Sequence, residues 1–179
     1  MMNAESSQLL LIDIQERLAP ATLDGDRTVA RAAVLLDAAA ILGVPHAVSE
    51  QYPRGLGRTV AAVLEKADPA RVFDKVHFSC QADDRLAGVL AAAGRPDVVV
   101  CGLEAHVCVL QTALGLVEAG YRVHVVADAI SSRSAQDRDL AVERMREAGV
   151  GIVSTEMVLF EWLGTAGHPE FRAVSALIR

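Results

Sequence analysis

Short apolar runs alternate with segments of helical periodicity along the whole chain, and this alternation constrains the fold more than any other feature. Six runs have the length and composition of buried strands: 8–12, 45–49, 71–73, 98–101, 123–127 and 151–154. Helical patterns cover 28–42, 56–64, 84–93, 107–119, 135–148, 155–163 and 168–178. Strands and helices that alternate in this way form βαβ units and a parallel sheet. We therefore predict an α/β fold, a Rossmann-like three-layer α/β/α sandwich around a six-stranded parallel sheet.

The composition agrees with such a sheet, and the length and cysteine content indicate the number of domains and the cellular location. Apolar residues make up 52% of the 179 residues but aromatic residues only 4%, so the core consists mainly of Ala, Val and Leu. A chain of this length is most simply one domain, residues 1–179. The three cysteines are an odd number and no secretory leader precedes them, which favours a reducing, cytoplasmic location.

Charge and hydropathy argue against two classes of partner. The net charge is −6 and no block of lysines and arginines interrupts the sequence, so a nucleic acid partner is not expected. No apolar stretch approaches the roughly 20 residues that a membrane-spanning helix requires, so no membrane partner is expected either. A small molecule remains as the expected ligand.

Chemistry-bearing residues follow three of the predicted strands. In open parallel sheets, ligands bind beyond the carboxyl ends of the strands, where the strand order reverses. Asp13 follows the first strand, Lys75 ends the third, and the loop 102–108 follows the fourth. An ammonium at a buried strand end requires an anionic partner, for which Asp13 and a Cys108 thiolate are both candidates.

Cys108 is the cysteine whose position favours reactivity. It falls in the first turn of a predicted helix, where unpaired N–H groups and the helix dipole favour a thiolate. A nearby base and a cation would complete its activation. Cys101 lies within a strand and Cys80 has no cation near it in the sequence, so both are expected to be structural.

Three segments, "LLLIDIQERL", "VFDKVHFSC" and "VVVCGLEAHVCVLQTAL", resemble the signature segments of the isochorismatase-like cysteine hydrolases, which include the nicotinamidases and N-carbamoylsarcosine amidohydrolase. The resemblance implies a catalytic triad with Asp13 as general base, Lys75 as electrostatic partner and Cys108 as nucleophile. It also implies a cis peptide at Leu103–Glu104, which would turn the Glu104 N–H toward the site. The N–H groups of Glu104 and Cys108 would then form the oxyanion hole.

Departures from the family pattern narrow the range of reactions that the resemblance implies. Nicotinamidases carry metal-binding histidines after the second strand, whereas residues 49–57 here read "SEQYPRGLG" without a histidine. Isochorismatase itself cleaves a vinyl ether and lacks the nucleophilic cysteine. The segments "EQYPRGLG" and "GLEAHVC" together resemble a metal-free branch, and in that branch four residues would face the substrate pocket: Gln51, Tyr52, Phe78 and His106.

The sequence therefore predicts a cysteine hydrolase without metal or other cofactor, which cleaves a carbon–nitrogen bond of a small amide or carbamoyl compound through a thioester. Two alternatives are a non-hydrolytic, redox-responsive oligomer, in which Cys108 is an oxidisable thiol, and a nicotinamidase. A homo-oligomer is expected in each case, since the apolar segment 157–160 and Trp162 would offer a contact surface.

Overall fold

A computed structural model describes residues 1–179 and contains a six-stranded, all-parallel sheet. The order of the strands across the sheet is β3-β2-β1-β4-β5-β6. Their bounds are Ser7–Ile12 (β1), His46–Gln51 (β2), Val72–Lys75 (β3), Asp97–Leu103 (β4), Arg122–Ser131 (β5) and Gly151–Val153 (β6). The predicted fold class is confirmed, and each predicted strand is present with its ends shifted by at most a few residues.

Eight α-helices flank the sheet. They are Gly25–Leu42 (α1), Pro53–Leu56 (α2), Ala61–Leu64 (α3), Asp84–Ala93 (α4), Leu110–Glu118 (α5), Ala135–Glu147 (α6), Thr155–Leu163 (α7) and Phe171–Ala176 (α8). The prediction of a single helix over 56–64 is wrong. The chain forms the two short helices α2 and α3 there, because Gly57 adopts a φ of 80° and ends α2. Ser134 caps α6, accepting a hydrogen bond from the Asp137 N–H.

Alternate residues of the central strands supply two separate apolar cores. Leu9 and Leu11 face one side, where α1, α7 and α8 pack, while Leu10 and Ile12 face the other, where α4, α5 and α6 pack. Residues 9–12 of β1 are buried on both faces, which is why they read as a continuous apolar run. The result is the predicted three-layer sandwich.

The expected contact surface at 157–160 is wrong in part. Val158, Leu159 and Trp162 are buried against the α1 side of the sheet, because they lie on the face of α7 that packs inward. Met157 and Phe160 remain substantially exposed. Two apolar side chains, rather than a continuous patch, are therefore available on this helix.

The strand order reverses between β1 and β4, and these strands approach closely at their carboxyl ends. Gly102 pairs with Ile12 and adopts φ 139. A Cβ atom on Gly102 would lie 2.1 Å from the Ile12 carbonyl oxygen, so only glycine fits here without a backbone shift. The residues that follow β1 and β4 are thereby held side by side.

Candidate active site

Asp13 and Lys75 form a buried ion pair at the carboxyl ends of β1 and β3. The Lys75 Nζ lies 2.8 Å from Asp13 Oδ2, and both side chains are 0% exposed. Ser49, in the intervening strand β2, donates a hydrogen bond of 2.6 Å to the other oxygen, Asp13 Oδ1. Between the two candidate partners for the ammonium, the structure pairs it with Asp13.

The Lys75 ammonium has further acceptors that hold it in place. Its Nζ donates to Gln51 Oε1 at 2.7 Å and to the Phe78 carbonyl oxygen at 3.1 Å. Burial disfavours the charged form, but the attraction of Asp13 outweighs it and raises the pKa of Lys75. The site therefore contains a fixed positive charge at neutral pH.

Cys108 faces this pair from a π-helical turn, Ala105–Val109, that precedes α5. Its side chain is almost covered, with the residue 5% exposed. Burial and then the negative charge of Asp13 raise the pKa of the Cys108 thiol, and Lys75 offsets this only in part, since its charge is already paired. The structure therefore does not support the expected thiolate: in the unliganded protein, burial and the adjacent carboxylate favour the protonated thiol.

The backbone at Glu104 shapes the turn that carries Cys108. Its carbonyl oxygen accepts hydrogen bonds from the N–H groups of Val107 at 2.9 Å and Val109 at 3.3 Å. Its own N–H donates to no protein group. Single π-helical turns of this kind are frequent at functional sites.

The expected cis peptide at Leu103–Glu104 is wrong, since the structure contains no cis peptide bond. The backbone instead turns at two residues with positive φ angles, Gly102 at 139° and Glu104 at 40°, and the peptide bond between Leu103 and Glu104 is trans. Glu104 is one of only three non-glycine residues with positive φ, and the other two are Asp13 and Tyr52. All three follow the carboxyl ends of strands, which places backbone strain around the site.

The other two cysteines are fully buried, but one of them is nearer to the site than expected. Burial and the charge of Asp13 raise the pKa of Cys80 to about 11, and Lys75 acts in the opposite direction. The expectation that Cys80 has no nearby cation is therefore wrong, because the loop after β3 folds back over Lys75. Burial also raises the pKa of Cys101, which lies in β4 and packs in the opposite core.

The residues expected to line a substrate pocket lie around the pair but differ in exposure. Tyr52 and Phe78 are more than half exposed, whereas the Gln51 amide is buried and its Nε2 donates to the Val76 carbonyl oxygen at 3.0 Å. A cavity of about 250 Å³ is lined by Tyr52 and Lys75 among others. Asp13 and Cys108 line none of the five cavities, and Cys108 is 5% exposed.

His106 is turned toward the loop after β5. Its Nδ1 lies 3.0 Å from Ser132 Oγ and 3.3 Å from Glu104 Oε2. Nothing in this arrangement directs the ring at the Cys108 sulfur. Its place in the substrate pocket stays a prediction, as do those of Gln51, Tyr52 and Phe78.

Sequence reasoning missed several polar residues of the site. Ser49 was assigned only to a strand, although the strand-end rule that selected Asp13 applies equally to it. Gln15 was also missed: its Oε1 accepts from the Gln51 N–H at 2.8 Å and its Nε2 donates to the Gln51 carbonyl oxygen at 3.1 Å. Nothing local in the sequence signals this contact, because Gln15 lies in an irregular segment after β1.

The structure contains no group of three or more His, Cys, Asp or Glu side chains placed to hold a metal ion. Glu50, the one carboxylate in the segment 49–57, is engaged with other groups. It accepts a hydrogen bond from the Thr59 N–H at 2.8 Å and pairs with Arg58 at 3.3 Å. The absence of a metal requirement stays a prediction.

Comparison with known proteins places this arrangement in a family. Residues 7–157 match the family model described as "Isochorismatase domain". The secreted isochorismatase effector Isc1 of Phytophthora sojae is 39% identical over 97% of this chain and 85% of its own length. Isochorismatase domain-containing protein 2 of Danio rerio is 38% identical over 99% of this chain and 89% of its own length.

A solved structure shows the same fold over the whole chain. The structure titled as the MAR1 ribonuclease of Caenorhabditis elegans superposes with a TM-score of 0.94 at 39% identity, covering 99% of this chain and 91% of that one. The similarity therefore includes all six strands and the strand ends that carry the site.

Proposed function

Since the chain belongs to the isochorismatase family, we propose that it is a cysteine-dependent hydrolase that cleaves the carbon–nitrogen bond of a small amide or carbamoyl compound. The observation that carries the proposal is the Cys108 side chain beside the buried Asp13–Lys75 pair. Family membership supports a hydrolase of some kind. The cysteine mechanism and the type of bond are our inference from the geometry.

In the first half of the reaction, Asp13 accepts the thiol proton as Cys108 attacks the substrate carbonyl carbon. A thiol with a raised pKa requires such a base at the moment of attack. Ser49 and Lys75 hold the two carboxylate oxygens, so the base is already oriented when substrate arrives. The proton then passes from Asp13 to the leaving amine, and a thioester remains on Cys108.

The N–H groups of Glu104 and Cys108 would stabilise the oxyanion that forms on the carbonyl oxygen. The Glu104 N–H is suited to this task because it donates to no protein group. Lys75 supplies a fixed positive charge to the same region. In the second half, Asp13 accepts a proton from water, which hydrolyses the thioester and restores the thiol.

A panel of small primary amides and carbamoyl compounds, assayed for ammonia release, tests the proposal. Cys108→Ala should abolish release from any substrate that the native protein cleaves. Cys101→Ala is the matched control, because it removes a buried cysteine of the same strand–loop region that packs in the opposite core. Full activity in Cys108→Ala would exclude the cysteine mechanism.

A second candidate function, RNA cleavage, is favoured by the name of the similar Caenorhabditis elegans protein. The net charge of −6 argues against a large phosphate-backbone footprint, so a short or single-stranded RNA is the reasonable probe. Incubation of native and Cys108→Ala protein with a labelled RNA oligonucleotide distinguishes the two candidates. Cleavage of RNA that survives the Cys108 change, with no amide hydrolysis, would favour ribonuclease activity at another site.

The cellular location of the protein and its oligomeric state are also proposals. No helix combines the length and apolar character needed to cross a membrane. We propose a cytoplasmic homo-oligomer, although the relative from Phytophthora sojae is described as secreted. Exposed Met157 and Phe160 support self-association, and sedimentation of Phe160→Glu against the native protein would test it. We also propose that residues 1–179 act as one domain.

A further inference from the structure

Arg133, which follows β5, contacts a buried carboxylate beside the candidate site. Its Nε donates to Glu104 Oε1 at 3.0 Å. The arginine side chain is 64% exposed, whereas that of Glu104 is 8% exposed. The arginine therefore acts from the surface on a residue that is held inside.

Glu104 connects this contact to the turn that carries Cys108. Its carbonyl oxygen accepts from Val107 and Val109, the two neighbours of Cys108, and its N–H is free to donate. Its φ of 40° is one that a non-glycine residue holds only when its surroundings fix it. The side-chain contact with Arg133 is a direct means of fixing it.

We propose that Arg133 is a positioning residue: its contact with the Glu104 carboxylate orients the Glu104 N–H toward the oxyanion of the reaction. This inference rests on the proposed function, because it requires attack by Cys108 on a carbonyl carbon. Arg133 itself takes no part in proton transfer and contacts no reacting atom. Its loss lets the Glu104 peptide rotate and removes one donor from the oxyanion.

The chain contains a matched control at the other end of the same two strands. Arg122, at the start of β5, donates from Nε to Asp97, at the start of β4, at 2.8 Å. Its side chain is 62% exposed and that of Asp97 1% exposed, which closely resembles the pair at the site. A second bond, from Arg122 Nη2 to the other Asp97 oxygen at 2.7 Å, makes this contact the stronger of the two. Arg122→Gln thus removes an exposed arginine from a buried carboxylate at the far edge of the sheet from Cys108.

Two reactions of Cys108 distinguish an effect of Arg133 on the oxyanion donor from an effect on the reactivity of the thiol itself. With p-nitrophenyl acetate, the sulfur forms a bond to the acetyl carbon, the carbon–oxygen bond to p-nitrophenolate breaks, and Asp13 takes the thiol proton, so an oxyanion forms on the way. With iodoacetamide, the sulfur displaces iodide from a saturated carbon, the thiol proton is again lost, and no oxyanion forms. Both rates are measured at Cys108 by peptide mass spectrometry.

In Arg133→Gln, we expect acetylation to slow by about tenfold to a hundredfold, while alkylation stays within about twofold of the native rate. Arg122→Gln should leave both rates unchanged, and Arg133→Lys should recover part of the acetylation rate. In a Glu104→Met background, which leaves no acceptor for Arg133 at this position, the Arg133→Gln change should have little further effect, because Arg133 acts through the Glu104 carboxylate.

Three results would overturn the proposal: equal rates in Arg133→Gln and Arg122→Gln, a parallel loss of both reactions, or a full Arg133→Gln effect in the Glu104→Met background. Circular dichroism of each variant confirms that the fold is retained. Failure of the proposed function is a separate result, since native Cys108 would then not be acetylated faster than Cys80 or Cys101.

Discussion

Replacement of Lys75 by methionine leaves the Asp13 carboxylate buried without its counter-ion. The lost contacts are those of Nζ with Asp13, Gln51 and Phe78, of which only the ammonium–carboxylate contact compensates a charge. Ser49 remains as a neutral side-chain donor to Asp13. Because both partners are 0% exposed, water does not replace the ammonium, and we expect the free energy of unfolding to fall by about 3–5 kcal/mol at pH 7.

The double variant Asp13→Asn with Lys75→Met removes both charges and should regain most of that loss, because two neutral side chains require no counter-ion. The assay is urea unfolding followed by the fluorescence of Trp162, the single and buried tryptophan. Lys66→Met is the control: its pair with Asp37 has the same 2.8 Å separation but is partly exposed, so the cost should stay below about 1 kcal/mol.

A Lys75→Met variant that loses no more stability than Lys66→Met would refute this reasoning. It would mean that the Asp13–Lys75 pair is hydrated or that Asp13 is neutral in the native protein. A neutral Asp13 would also remove the base from the proposed mechanism. A double variant less stable than both single variants would instead indicate that shape, rather than charge, determines the loss.

Three other predictions concern stability, backbone and base orientation. Above about pH 9, the thiols of the unfolded chain lose their protons, whereas buried thiols with raised pKa values keep theirs. The free energy of unfolding should therefore be highest below about pH 9. Between pH 9 and 11 it should fall by about 1.4 kcal/mol per pH unit for each such thiol. Cys80→Ala should flatten this slope in urea unfolding at each pH, and an unchanged slope would contradict the assignment. Gly102→Ala should prevent normal folding, as judged by circular dichroism, because its Cβ meets the Ile12 carbonyl; a folded variant of native stability would show that β4 can shift. Ser49→Ala should lower kcat for amide hydrolysis about tenfold with little change in KM, and an effect on KM alone would place Ser49 in substrate binding instead.

Much of the site's layout was predictable, because it depends on strand ends. Asp13 and Lys75 follow apolar runs whose direction in a parallel sheet is fixed, so their meeting at one edge required only the strand order. Cys108 was selected by the same rule and by the resemblance of its segment to a family. The specific partner of Lys75 was left open, and the structure resolved it in favour of Asp13.

The electrostatic state of Cys108 could not be predicted in the same way. A position before a helix favours a thiolate, but the near-complete burial of the residue and the adjacent carboxylate favour the thiol more strongly. Burial depends on how the loops after β3 and β4 cover the site, which no local pattern specifies. The contact between Glu104 and Arg133 was missed for the same reason, since the residues lie 29 positions apart on neighbouring loops.

The account depends on Cys108 as the residue that carries the acyl group. The most direct measurement is an acid-quenched reaction with p-nitrophenyl acetate, followed by intact mass and peptide mapping of the three cysteines. We predict a burst of one equivalent of p-nitrophenolate and an acetyl group on Cys108, with both lost in Cys108→Ala and the burst slowed in Asp13→Asn. A burst that persists in Cys108→Ala, or acetylation of Cys80 or Cys101 in place of Cys108, would contradict the account.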